Sequence, residues 1–183
     1  MPAAAAGVSR GMAPGTLAWG LSAGSSVDPA TCTTALTVVD VPPAHHDATS
    51  WVNEEVSFLQ DVVVLQDAAA ARAAFRALVT VVDECPRYAL VDGGEVRTAW
   101  VTEPALEGQG VFPSIVQDVT AESGGDTLQQ TTGHLLVGNT IATWTASAPT
   151  AQDREDAVEV LGEPAALSAA VEERALAAVR SLP

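Results

Sequence analysis

Few residues in this 183-residue chain offer reactive chemistry, and the first to weigh are its three histidines. His45-His46-Asp47, with His134 as a third imidazole, could hold a metal ion or move a proton. Adjacent residues of a strand point to opposite faces, so both His45 and His46 reach one ion only from a loop. Pro42-Pro43 and the polar residues after them make 42–47 read as such a loop. Against a site, nothing fixes His134 near the pair, and neither an HxH nor an HExxH spacing occurs. The expectation is exposed loop histidines, no metal and no catalytic residue.

Nucleophilic catalysis needs an activated Ser or Cys beside a base. No GxSxG elbow is present, and Gly24-Ser25-Ser26 and Phe112-Pro113-Ser114 lack supporting context. Gly108-Gln109-Gly110 reads as a flexible loop, and with no GxGxxG and no P-loop no cofactor is implied. The two cysteines, Cys32 and Cys85, are too few for a structural zinc site without histidine. Cys85 falls at the C-terminal end of a helix, where the dipole disfavours a thiolate. Two readings stand: buried free thiols in a reducing compartment, or one disulfide in an oxidising one. The second is favoured.

Composition removes other classes. The formal net charge is −15, with eight Arg and no Lys. Nucleic-acid binding draws its affinity from cations set against phosphates, and this chain has no basic run to supply them. An anionic membrane surface repels it equally. No stretch approaches the ~20 apolar residues of a spanning helix, so membrane insertion is not expected. Residues 1–30 hold one Arg and glycines that break any apolar run. They read as a cytoplasmic start or as a chain whose leader or anchor is absent.

The pattern along the chain is that of an α+β domain. Residues 1–14 are Ala/Gly/Pro-rich and expected to fray, with a single domain over 15–183. Leu17, Trp19 and Leu21 alternate as in a short strand over 16–23, whereas 32–39 fits a strand or a helical turn equally. A strand is predicted over 51–65, with Val56, Phe58, Val62 and Val64 on one face. Asp67 then caps a helix whose Phe75, Leu78, Val79 and Val82 form an apolar stripe, ending near Cys85 because Pro86 follows. Hairpin signals at Asp92-Gly93-Gly94-Glu95, Gly124-Gly125 and Gly138-Asn139 punctuate a run of strands, and 104–110 reads as a loop. The tail reads as helices over 151–161 and 164–182, with Leu167, Val171, Ala175 and Val179 as a ridge. One twisted antiparallel sheet of hairpins packed by two or three helices accounts for the whole.

Four Trp (19, 51, 100 and 144) fall in strand-like segments. They serve either as the bulky members of a small-residue core or as the lining of a groove. Trp51 and Trp100 border the loops 42–50 and 104–110, where binding residues tend to collect, and are the candidate ligand-binding residues.

The order of features resembles the extracellular sensor-domain family of actinobacteria, which includes the outer domain of a mycobacterial serine/threonine kinase and exported lipoproteins. The residues that carry the resemblance are Cys32, the strand 56–65, the Ala-rich helix Asp67-AAAARAAFRAL-Val79, Cys85 closing it, the pair around Val137-Gly138-Asn139, and the ending Val179-Arg180-Ser181-Leu182. It spans roughly residues 30–182. The resemblance implies a Cys32–Cys85 bridge and an extracellular or cell-envelope location. It also implies a cleft for a small or lipid-like envelope ligand, and no catalysis. The alternative is a secreted structural or protein-interaction domain with no small-molecule pocket.

Overall fold

The structure is a computed structural model that describes residues 13–16, 19–52, 57–148 and 150, with positions 169, 173 and 177 of the tail. Ten antiparallel strands form one sheet: β1 (Ala13–Thr16), β2 (Ser25–Asp28), β3 (His45–Val52), β4 (Ser57–Val64), β5 (Arg87–Asp92), β6 (Glu95–Thr102), β7 (Leu106–Glu107), β8 (Ser114–Ser123), β9 (Asp126–Val137) and β10 (Thr140–Ala148). A 3-10 turn, Ala30–Cys32, leads into α1 (Thr33–Thr37), and α2 spans Ala68–Glu84. The strand order is β1-β3-β4-β10-β9-β8-β6-β5-β2, and β7 pairs beside β6 along β8. The α+β class and the antiparallel sheet are as the sequence implied. The helices expected over 151–161 and 164–182 lie outside the described residues, except that Ala169, Glu173 and Ala177 are helical and exposed.

Helix α2 follows the sequence logic closely. The Asp67 carboxylate accepts from the backbone N–H groups of Ala69 and Ala70, both at 2.8 Å, satisfying two donors that have no partner within the helix. Its buried residues are Ala71, Phe75, Leu78 and Val82, with Val79 half-buried beside them. This stripe packs on Val63 and Leu65, Ile141, Leu136 and Ile115 from four strands, and on Val38 and Val39 after α1. Gln117 fastens the far end, donating from Nε2 to the carbonyls of Glu103 (2.7 Å) and Val82 (3.4 Å). At the near end Asn139 clasps Leu65 by a backbone bond and by its side-chain amide.

Cys32 and Cys85 are bonded, joining the turn before α1 to the C-cap of α2. Val27 and Tyr88 bury the bond, and Trp100 stacks on Tyr88 with ring centroids 5.2 Å apart. Helix α1 stops at Val38, whose φ of 67° is the left-handed region that β-branched residues avoid. Burial of Val38 and Val39, and a hydrogen bond from Trp19 Nε1 to the Thr37 carbonyl, hold the chain there.

Several local expectations need correction. Residues 19–24 form turns instead of a strand, because Gly20 and Gly24 take φ near +90°, and Trp19 and Leu21 join different core clusters. The loop expected at 42–47 ends early: His45 already pairs with Val64, so His45, His46 and Asp47 belong to β3. The single strand expected over 51–65 is two: Trp51 and Val52 end β3, Ser57–Val64 is its antiparallel partner β4, and 53–56 lie outside the described residues. Pairing starts at Ala13, inside the segment expected to fray, and 104–110 contains the short β7. Both glycine hairpins, at 93–94 and 124–125, take positive φ at both central residues, as their sequence requires.

The register divides the sheet into an α2 face and an outer face. Phe58, Gln60, Val62 and Val64 lie on the outer face, whereas Leu59, Asp61 and Val63 share the α2 face with Ile141 and Leu136. Apolar residues occupy both parities of β4, so alternation alone could not select the face that receives the helix. On the outer face the buried Trp144 indole lies over Gly133, and a Cβ added there would collide with the ring.

Two substitutions test this packing. Phe75→Ala should cost about 3–5 kcal/mol in chemical denaturation, and no shift of the midpoint would contradict the burial of its ring. Gly133→Ala should cost about 1–3 kcal/mol through overpacking against Trp144, whereas wild-type stability would show that the indole does not lie there.

Candidate functional site

Beyond the line of α2 its sheet face changes character. The register sets Asp61, Thr143 and His134 side by side across β4, β10 and β9, with Ser50, Leu59, Thr145 and Thr132 in the next row. His46 on β3 lies diagonally to Asp61 on the same face, with Nε2 3.1 Å from Oδ1. The His134 Nδ1 and the Thr143 hydroxyl are 2.8 Å apart, and the Thr132 and Thr145 hydroxyls 3.1 Å. Thr143 and His134 are buried, whereas Ser50, Leu59, Thr132 and Thr145 are half-buried. A polar floor thus continues the apolar core across one sheet face.

Burial sets its electrostatics. Desolvation raises the Asp61 carboxyl above the usual carboxylate range; the hydrogen bond and charge of His46 oppose this, and Asp47 reinforces it. Desolvation lowers His134 to about 4, so its ring is neutral at ordinary pH. The arrangement is not a relay for nucleophilic attack: the carboxylate meets one imidazole and the hydroxyl meets another, whereas a triad needs both on the same ring. His45 and His46 occupy opposite faces of β3, so the His45/His46/His134 cluster weighed from sequence does not assemble. Among the described residues no group of three or more His, Cys, Asp or Glu side chains could hold a metal ion. His46 is also not the exposed loop residue expected, because it lies in β3 with its side chain turned onto this face, whereas His45 is exposed.

The two candidate tryptophans fall in different places. Trp100 is half-buried on the α2 face, stacked on Tyr88 beside the disulfide. Desolvation pushes the Tyr88 phenol up to about 12, so this aromatic pair stays uncharged. The backbone of Trp51 pairs with Phe58 of β4 and Pro14 of β1, and its side chain lies outside the described residues. Sequence reasoning passed over Asp61, Thr132, Thr143 and Thr145. The available signal was a lone acid in the apolar run 58–65 and hydroxyl residues at period two after Ile141.

The His134 shift has a pH consequence. A histidine held below its unfolded pKa gives stability that is full above about 6.5 and is lost as pH falls towards 4, because only the unfolded chain takes up the proton in that window. The loss should reach about 3 kcal/mol. The raised Asp61 acts with the opposite sign, since the folded chain keeps its proton to higher pH. Denaturation from pH 7 to 4 should therefore show a steeper loss for wild type than for His134→Asn, and parallel curves would exclude a buried neutral imidazole.

No family model matches the sequence, and no curated protein matches it. Solved structures do. The extracellular domain of PknH from Mycobacterium tuberculosis matches with a TM-score of 0.62 at 18% identity, over 86% of this chain and 87% of that one. An uncharacterised protein of Mycobacterium smegmatis, the Rv0999 ortholog, matches with a TM-score of 0.42 at 19% identity, over 87% of this chain and 86% of that one. The chain shares the fold of the PknH extracellular domain, and with it the architecture that its own cysteine, helix and hairpin pattern implied.

Proposed function

We propose that the chain is an extracytoplasmic sensor module, without catalytic activity, that takes a small or lipid-like envelope molecule on the α2 face of its sheet. The observation that carries this reading is the half-buried polar floor lying on the same face as the apolar core and Trp100. An amphiphilic ligand matches that division. Its polar group would meet the hydroxyls of Ser50, Thr132 and Thr145 and the Asp61–His46 pair. Its apolar part would lie towards Leu59 and the exposed part of Trp100. Trp51, the other candidate aromatic, pairs with Phe58 in the outer-face row of β4, so it is not assigned to this surface.

Three further observations support the reading. The disulfide forms and persists in an oxidising compartment, which suits the cell envelope or the exterior. The fold is that of an extracellular domain. The acid and the hydroxyl also meet different imidazoles, an arrangement that suits the binding of polar groups better than a relay to a nucleophile.

The test is titration calorimetry with purified envelope lipid fractions, a readout independent of the indoles being replaced. Wild type should show saturable binding to at least one fraction. Thr145→Val and Trp100→Ala should each weaken it about tenfold, the scale of one lost anchoring contact. Absence of binding to every fraction, or wild-type affinity in both variants, would overturn the ligand reading.

A further inference from the structure

Among the described residues the outer face of the sheet is buried at one end and exposed at the other. Across β4, β10 and β9 it is closed, with Phe58, Trp144, Thr131, Leu135 and Ala148 all buried. Across β5 and β6 it is open. Register places Ala89, Val91, Val96, Ala99 and Val101 together there, because the irregularity between Leu90 and Val91 pairs Val91 with Val96. Val96 is 63% exposed and Val101 41%, and the other three are half-buried. Five apolar side chains gathered in adjacent rows, with Arg87 opposite Val101 at one end, are a costly surface to leave in water.

The charges around this patch are mainly of one sign. Asp28 and Glu122 share the Ala89–Ala99 row on its two sides, both exposed. Arg87 is the cation in the Val101 row, and Arg97 is already paired with Asp92 at 3.4 Å. A second copy of this chain would bring the same acids against these, and each copy carries a net charge of −15. The complementary surface has an apolar centre and basic flanks. A sheet face buries its apolar residues against helices, as α2 does on the opposite side, with Phe75 inward and Arg72 and Arg76 outward.

We propose that Ala89, Val91, Val96, Ala99 and Val101 form a docking surface for a basic amphipathic helix of a partner protein. This surface lies on the opposite side of the sheet from the proposed ligand floor, so either assignment can fail without the other. The partner seats its apolar stripe on the valines, and its Lys or Arg residues face Asp28 and Glu122.

The probe is a synthetic amphipathic helix with a Leu stripe and Lys flanks, together with a twin whose flanks are Glu, measured by fluorescence anisotropy on the intact chain. The Lys peptide should bind and the Glu peptide should not, with binding weakened at high ionic strength. The double variant V96D/V101D should bind about tenfold more weakly or worse, although it adds negative charge. The control V41D/V111D, at exposed valines outside the patch, should bind as wild type does. Glu122→Arg, at an exposed position whose change leaves the fold intact, should weaken binding in the same direction. Equal affinity of V96D/V101D and wild type would overturn the proposal, as would equal binding of the two peptides. So would a concentration-dependent dimer in sedimentation velocity that V96D/V101D abolishes, because the occupant would then be a second copy.

Discussion

The Cys32–Cys85 bond is the constraint on which the other arrangements rest. It ties the C-terminus of α2 to the turn that begins α1, across 53 residues of sequence. Closing a loop of that length stabilises the fold by roughly 4 kcal/mol on the chain-entropy account. That is a large part of the 5–15 kcal/mol typical of a domain. With the bond in place, Val38 and Val39 enter the core from α1 to meet Phe75 and Leu78. On the other side of the bond Tyr88 and Trp100 stack on each other and pack in its cluster, so β2, β5 and β6 at that end of the sheet are held to the same centre.

Among the described residues α2 is the one long helix placed on the sheet, and it covers only part of that face. Val63, Ile141, Leu136 and Ile115 lie beneath it, and beyond them the same face turns to Asp61, Thr143, His134, Thr145 and Thr132. The change is abrupt because residues two apart on a strand share a face: Ile141 and Thr143, or Leu136 and His134, are successive side chains on one surface. Polar groups in that position carry a desolvation penalty that hydrogen bonds only partly offset, which is why His134 is held neutral and Asp61 resists ionisation. A fold retains such groups at a cost, and the proposed ligand would supply a physical reason for keeping them.

Legibility in the sequence follows the range of the interaction. The Asp67 cap, the α2 stripe and the glycine hairpins act within a few residues, and each is where the sequence put it. The strand containing His45 was hidden because its pairing with Val64 is a long-range property that the local prolines mask. The α2 face of β4 was hidden because both parities of that strand are apolar. The same limit applied to the site. Trp100 could be placed beside the disulfide only once β5 and β6 were paired with β2, and the polar floor exists only when four strands bring single Thr, His and Asp residues into adjacent rows.

The most direct measurement is guanidinium unfolding of the purified chain with its disulfide intact and after reduction, read by circular dichroism. If the bond anchors α2 and α1 as described, reduction removes roughly 4 kcal/mol, or leaves too little stability for the chain to fold. Coincident unfolding curves in the two states would show that the bond is absent or idle, and the account of how this sheet face is positioned would fail with it.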